Sequence, residues 1–303
     1  MATAASTAPR YSALGLVAIL LWSTTIAFSR SLTEQLGTLT AAFWIYSMAG
    51  VIGLIIAGLQ SSNSLRKMLR LPRLYLWGCG ALFVIYIAAL YLAVGSATDR
   101  SQVVAVGLLN YLWPGLSLVF SVPILKRKAS PWLAAGIILA LSGVWLATTA
   151  GPGDSPQTLL STGSLLPYSL ALLAAVSWAL YSNLSRRWGG EEEGGAVPLF
   201  LLASGLLLGA LRLASPETSS WSPRSLVELA YMALLPGMLA YVLWDLAVRK
   251  GSLVLVASLS YLTPLLSTLF STLVLGVESG PNLWSGALLV AVGAIICKQS
   301  ITA

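Results

Sequence analysis

Long apolar runs separated by short polar breaks dominate the chain. A helix that crosses a bilayer needs about 20 mostly apolar residues, and most of the runs approach this length. The pattern predicts ten membrane-spanning helices, numbered here as spans one to ten. They cover residues 11–29, 38–59, 74–94, 102–124, 131–149, 165–184, 196–213, 226–248, 252–275 and 282–299. We therefore expect an all-α polytopic membrane protein whose first span remains as an uncleaved helix.

The basic residues predict the orientation of these spans. If both termini are cytoplasmic, the inner loops carry Arg10, Arg66, Lys67, Arg70, Arg73, Lys126, Arg127, Lys128, Arg186, Arg187, Arg249, Lys250 and Lys298. Only Arg30, Arg100, Arg212 and Arg224 then lie outside. This bias is the positive-inside pattern and predicts a multi-pass membrane protein with both termini cytoplasmic. It also explains the net charge of +7, so no nucleic-acid partner is expected.

Composition excludes several classes of protein. Charged residues make up 9% of the chain, against about 25% in a soluble domain. The sequence has no histidine, which rules out Ser-His or Cys-His nucleophiles and the usual His-bearing zinc sites. We expect no enzyme activity, metal or cofactor. Cys79 and Cys297 lie in apolar runs and are expected to be buried, and Glu191–Glu193 are expected in a solvated loop.

The two halves of the sequence repeat one another. In the first half the matching residues are Val104, Val106, Leu109, Tyr111, Leu112, Pro114, Leu116, Ser117, Phe120 and Ser121. Their counterparts 150 residues later are Val254, Val256, Leu259, Tyr261, Leu262, Pro264, Leu266, Ser267, Phe270 and Ser271. Trp22 matches Trp178 at a slightly different shift.

Each half holds five spans. Because five is an odd number, we predict that the second half crosses the membrane in the opposite orientation to the first. The expected units are a five-helix repeat over residues 1–150 and an inverted one over residues 151–303. The loop at Lys126–Lys128 aligns with 276–278, Gly-Val-Glu, as expected for loops on opposite sides. Inverted repeats with a substrate site between them are the architecture of secondary transporters.

Two five-span halves with a Tyr-Leu-x-Pro element in spans four and nine resemble the drug/metabolite transporter superfamily, in particular its bacterial exporters of aromatic amino acids. The resemblance implies a central cavity lined by spans one, three, four, six, eight and nine, with spans five and ten at the periphery. It implies alternating access in a lipid bilayer, with aromatic or other neutral amino acids as substrates. The alternative is proton-coupled efflux of drugs or toxic cations. That alternative needs a buried acid, which Leu14–Ser29 lacks.

Polar residues form one face on each of spans four and nine. These stripes are Asn110, Pro114, Ser117 and Ser121, and Ser260, Pro264, Ser267 and Ser271. They indicate two walls of a cavity or, alternatively, close helix packing. Each proline lacks an N–H, so the carbonyl four residues earlier has no partner within the helix. These carbonyls, of Asn110 and Ser260, could receive a substrate ammonium. The alternative is that the prolines only kink the helices.

Aromatic residues inside the spans suit a flat apolar substrate, although core packing alone also explains them. The predicted substrate-binding residues are Trp22, Tyr86, Asn110, Tyr111, Trp113, Pro114, Trp178, Tyr181, Tyr241, Trp244, Ser260, Tyr261 and Pro264. Trp77, Trp132, Trp188, Trp221 and Trp284 lie near span ends and are expected at the membrane interface.

Asp245 is the one acid embedded in a run, four residues before Arg249. The spacing predicts an i,i+4 ion pair at the interface, with a transport role as the alternative. The glycines at 136 and 143, matched by those at 286 and 293, predict close packing of spans five and ten.

Overall fold

The computed structural model describes residues 2–61, 63–96, 106, 109–148, 165–190, 195–275 and 281–302. Within these ranges nearly all residues are helical. The helices are α1 (Ala2–Ser23), α2 (Thr25–Leu36), α3 (Thr38–Gln60), α4 (Ser64–Leu69), α5 (Leu74–Ser96), α6 (Trp113–Leu125), α7 (Trp132–Thr148), α8 (Leu165–Trp188), α9 (Val197–Ala214), α10 (Pro223–Lys250), α11 (Leu253–Leu259), α12 (Leu262–Leu275) and α13 (Pro281–Ser300). Arg100, Glu191–Glu193 and residues 276–278 lie outside the described residues.

The apolar helices confirm the expected class, an α-helical membrane protein. The described part of every predicted span falls largely on helix, and α3, α5, α8, α9 and α10 are each long and apolar enough to cross a bilayer. The span count of ten stays a prediction. One unpredicted feature is a pair of two-residue strands, β1 (Lys128–Ala129) and β2 (Ile301–Thr302), which pair antiparallel.

Three of the predicted spans are interrupted rather than continuous. Span one breaks at Thr24 between α1 and α2, and span nine breaks at Ser260 and Tyr261 between α11 and α12. In span four, a turn at Tyr111 and Leu112 precedes α6.

The prolines of spans four and nine lie where helices restart, in the first turn of α6 and of α12. Pro114 is the second residue of α6, and Pro264, whose side chain lies outside the described part, is the third residue of α12. Proline is tolerated in a first turn because its missing N–H has no partner to lose there.

Glycines bring α7 and α13 into backbone contact, which confirms the predicted close packing. A Cβ added at Gly143 would lie 2.7 Å from the carbonyl oxygen of Gly286, and one at Gly293 would lie 2.7 Å from the amide nitrogen of Ala140. Backbone atoms cannot move aside as a flexible side chain does. These positions therefore require glycine.

We expect Gly293→Ala to lower stability by about 1–3 kcal/mol, because the added methyl overpacks this contact. Gly58→Ala on α3 is the matched control, since a Cβ there meets nothing within 4 Å. Thermal unfolding in detergent should show a lower midpoint for Gly293→Ala and no loss for Gly58→Ala. Equal midpoints would show that α7 and α13 separate without cost.

Candidate functional site

Trp178 lies at the centre of a cluster of aromatic rings and is 1% exposed. Seven ring centroids lie between 4.6 and 6.3 Å from its own. They belong to Trp22, Phe83, Tyr86, Trp113, Tyr181, Tyr241 and Trp244. We call these eight residues the aromatic cluster.

Five separate helices contribute to the aromatic cluster. Trp22 comes from α1, Trp113 from α6, and the others from α5, α8 and α10. Trp22 and Trp178, which correspond in the repeat, meet edge to face with their centroids 5.7 Å apart and their planes at 76°. Two of the indole N–H groups in the cluster donate hydrogen bonds. Nε1 of Trp22 donates to the Pro236 carbonyl at 3.2 Å, and Nε1 of Trp244 donates to Ser182 Oγ at 3.2 Å.

Seven of the thirteen predicted site residues lie in this cluster. They are Trp22, Tyr86, Trp113, Trp178, Tyr181, Tyr241 and Trp244. The sequence missed Phe83, whose centroid lies 5.1 Å from that of Tyr241 and 5.3 Å from that of Tyr181. A phenylalanine in an apolar run has no polar tip, so nothing in the pattern distinguishes it from ordinary core.

Asn110 lies near the edge of the cluster. The hydroxyl of Tyr86 lies close to the side chains of Asn110 and Tyr241. Oδ1 of Asn110 is buried and has no hydrogen-bond partner among the described residues. A buried, unpaired amide oxygen is costly, and an incoming donor would satisfy it.

Two other predicted residues, both tyrosines, pack against the contact between α7 and α13. Tyr111 and Tyr261 belong to a second apolar group with Ala140 of α7 and Val290 of α13. A Cβ added at Gly115 would lie 2.6 Å from the Tyr261 hydroxyl, so this hydroxyl points towards α6. Tyr261 lies in the break just before α12, on the side of the fold that faces α6.

Three serines of the stripes, Ser117, Ser121 and Ser260, are bonded within their own spans, whereas Ser267 Oγ is buried without a hydrogen-bond partner among the described residues. Ser117 Oγ donates to the Trp113 carbonyl at 2.8 Å, and Ser260 Oγ donates to the Val256 carbonyl at 2.8 Å. Both residues are buried, as is Pro114. Nδ2 of Asn183 on α8 donates to the Ser117 carbonyl at 2.9 Å. These contacts favour helix packing, the second of the two interpretations.

A cavity of about 20 Å³ adjoins the aromatic cluster. Its uncharged lining consists of Trp22, Thr25, Ile45, Tyr46, Met232, Pro236, Gly237 and Tyr241. That volume holds about one water, whereas ligand pockets usually measure about 300–1,000 Å³. In this arrangement of the rings the cavity is too small for an amino acid.

The lining residues from α10 surround a π-helical turn at Ala233–Leu239 that contains Pro236. π-turns and proline-interrupted helices are frequent at functional sites. The Pro236-Gly237 pair inside span eight was therefore a signal in the sequence for this part of the site. Thr25 Oγ1 beside it is buried and has no hydrogen-bond partner among the described residues.

The predicted pair of Asp245 and Arg249 is present and is buried inside the protein. Arg249 Nε lies 2.8 Å from Asp245 Oδ2, and the two side chains are 0% and 2% exposed, respectively. Tyr75 and Tyr181 both donate to Asp245 Oδ1, at 3.1 and 3.0 Å. The i,i+4 spacing gave the pair but not its burial, which comes from α5 and α8 packing over it.

The fold and this uncharged aromatic site define a membrane transporter. The sequence profile of the EamA-like transporter family matches residues 10–149 and again residues 165–297. The chain therefore belongs to that family, which is part of the drug/metabolite transporters that its sequence resembles.

Relatives match along almost the whole chain. The aromatic amino acid exporter YddG of Salmonella typhimurium is 30% identical over 96% of this chain and 97% of its own. Proteins of the same name from Escherichia coli and Ancylobacter novellus are 30% and 32% identical, over 94% and 93% of this chain and 95% and 93% of their own. A solved crystal structure superposes with a TM-score of 0.79 at 27% identity, covering 95% of this chain and 97% of that one.

Proposed function

We propose that this transporter exports neutral amino acids, above all aromatic ones, from the bacterial cytoplasm. The observation that carries this proposal is the full-length similarity to three aromatic amino acid exporters. The composition of the site agrees with it. An aromatic side chain can pack against indole and phenol rings edge to face, as Trp22 meets Trp178, or stacked, as Tyr181 meets Trp178.

The same site offers polar groups for the amino acid's ammonium and carboxylate. Oδ1 of Asn110 is an acceptor, while the hydroxyls of Tyr86 and Tyr241 both donate and accept. An amino acid carries no net charge, but its ammonium and carboxylate each need hydrogen-bond partners once they are buried. Proton-coupled efflux of cations is less well supported, because Asp245 is bonded to Arg249, Tyr75 and Tyr181, and Glu228, near the start of span eight, is paired with Arg224.

The architecture that we propose is two inverted five-span repeats, residues 1–150 and 151–303. If each span of the first half is exchanged with the corresponding span of the second half, the observed contacts between helices fall into matching sets. The contact of α5 with α8 maps onto that of α10 with α1, and that of α6 with α8 maps onto that of α12 with α1. The contacts of α3 with α9 and of α7 with α13 map onto themselves. The twofold match of the family profile supports the same division.

The proposed orientation places both termini in the cytoplasm and the protein in the inner membrane. It rests on the excess of lysine and arginine in the loops assigned to that side. With five spans per half, the two repeats then face opposite sides. Rocking of one repeat against the other would expose the aromatic cluster to each side in turn.

We expect transport to follow the substrate gradient without obligatory coupling to protons. Histidine is absent from the sequence, and Asp245 already has an ion-pair partner. In proteoliposomes, an imposed pH gradient should therefore drive no uphill accumulation of tryptophan in wild type or Asp245→Asn. Uphill transport in wild type that Asp245→Asn abolishes, with downhill exchange intact, would identify Asp245 as a coupling site.

Expression in a bacterial host tests the proposed substrate class. Cells that make the protein should resist p-fluorophenylalanine and retain less tryptophan than cells with an empty vector. Cells making a non-transporting variant at equal abundance are the control. Resistance to ethidium with unchanged sensitivity to the amino acid analogue would instead favour cation efflux.

A further inference from the structure

One side chain joins the aromatic cluster to the buried ion pair. The ring of Tyr181 stacks on Trp178, with centroids 5.0 Å apart and planes at 24°. Its hydroxyl donates to Oδ1 of Asp245 at 3.0 Å. Because the ring and the hydroxyl are one rigid unit, the ring cannot leave Trp178 without changing the bond to Asp245.

The carboxylate of Asp245 also holds neighbouring elements together. Tyr75 of α5 donates to the same Oδ1 at 3.1 Å and accepts from the Ala196 N–H, just before α9, at 3.3 Å. Arg249 bonds Oδ2 at 2.8 Å and donates to the Gly189 carbonyl, just after α8, at 3.3 Å. We call Tyr75, Tyr181, Asp245 and Arg249 the inner network.

The inner network lies at the end of the helices that the proposed orientation assigns to the cytoplasm. Nη1 of Arg186 donates to the Arg249 carbonyl at 2.8 Å and also bonds the Gly251 carbonyl. All four side chains of the network are buried. Opening this end therefore requires breaking bonds to Asp245.

We propose that Tyr181 is a positioning residue that couples substrate in the aromatic cluster to opening of the cytoplasmic end. This inference rests on the proposed function. An aromatic substrate that stacks on Trp178 displaces the Tyr181 ring, and the Tyr181 hydroxyl then leaves Asp245. Tyr75 remains as the single tyrosine donor, so α5, α8, α9 and α10 are held less firmly at this end.

Tyr75 provides a matched comparison for Tyr181. Both tyrosines donate one hydrogen bond to the same oxygen, at nearly the same distance. The ring of Tyr75 contacts Phe200 and lies beneath the Arg249 guanidinium, whereas the ring of Tyr181 contacts Trp178. A purely structural role predicts similar behaviour for Tyr75→Phe and Tyr181→Phe.

The two native cysteines report opening of this end. Cys79 lies one turn after Tyr75, is 0% exposed, and lies close to Ser185 and Asp245. Cys297 is equally buried, but it lies in the contact between α7 and α13 beside Gly136. Labelling of Cys79 therefore follows the inner network, while labelling of Cys297 reports general loosening.

The experiment measures N-ethylmaleimide labelling of both cysteines by mass spectrometry, with and without L-tryptophan, in nanodiscs. In wild type, tryptophan should accelerate labelling of Cys79 by about three- to tenfold, the range expected for loss of one hydrogen bond. Tyr75→Phe should label faster without tryptophan and still respond to it. Tyr181→Phe should label faster without tryptophan and no longer respond.

Two results would overturn the coupling. One is an equal tryptophan response in Tyr75→Phe and Tyr181→Phe, and the other is parallel acceleration at Cys297. Tryptophan flux through the wild-type protein in proteoliposomes distinguishes failure of the coupling from failure of the proposed function. Flux with an equal response in the two variants rejects only the coupling, whereas absence of flux rejects the proposed substrate.

Discussion

Trp178→Ala should reduce tryptophan transport by about 30-fold or more, because truncating a buried aromatic hot spot typically costs about 2–4 kcal/mol. Trp178 is the ring that touches all seven others in the aromatic cluster. Its removal takes away the surface on which we propose that the substrate stacks. Initial rates of tryptophan exchange in proteoliposomes, normalised to folded protein, measure the effect.

Trp132→Ala is the matched control for Trp178→Ala. Trp132 begins α7 and is 69% exposed, so its loss should leave exchange close to wild type. Trp178→Phe keeps a flat ring and should retain much of the activity, which separates loss of stacking from loss of folding. If folded Trp178→Ala still exchanged tryptophan at the wild-type rate, the aromatic cluster would not lie on the transport path.

Arg249→Ala should destabilise the protein by about 3–5 kcal/mol, because it leaves the buried Asp245 carboxylate without its countercharge. Asp245 retains the hydroxyls of Tyr75 and Tyr181, but neutral donors do not replace a guanidinium. The yield of monodisperse protein and the unfolding midpoint in detergent report the effect.

The pair of Arg224 and Glu228 is a control with the same i,i+4 spacing. Arg224 Nε lies 2.7 Å from Glu228 Oε1, but the Arg224 side chain is 77% exposed. Glu228 is itself only 8% exposed, but it keeps the Gln35 amide as a donor, so Arg224→Ala should lower the midpoint less than Arg249→Ala. The double variant Arg249→Met with Asp245→Asn should recover most of the loss, because it leaves no unpaired charge. A double variant as unstable as Arg249→Ala would show that packing rather than charge is responsible.

Much of this organisation can be read from the sequence. The apolar runs predict the helices, the repeat pairs Trp22 with Trp178, and the matched glycines predict the contact between α7 and α13. These features depend on composition and on spacing along one helix. Composition and spacing can be recognised without knowing how the helices pack.

The parts that the sequence missed depend on how the helices pack and where they break. The break of span nine at Ser260 and Tyr261 left no signal in the apolar pattern, and the Tyr261 hydroxyl lies near Gly115 of α6. The burial of the Asp245–Arg249 pair depends on Tyr75 and Tyr181, which lie 170 and 64 residues away from Asp245 in sequence. Local spacing carries no information about such partners.

Exchange of radiolabelled L-tryptophan by proteoliposomes of the purified protein tests the central claim most directly. The account predicts saturable exchange that unlabelled phenylalanine competes and that phosphorylated sugars and quaternary ammonium drugs do not. Vesicles that exchange a dianionic phosphate or a cationic drug, but not tryptophan, would contradict it.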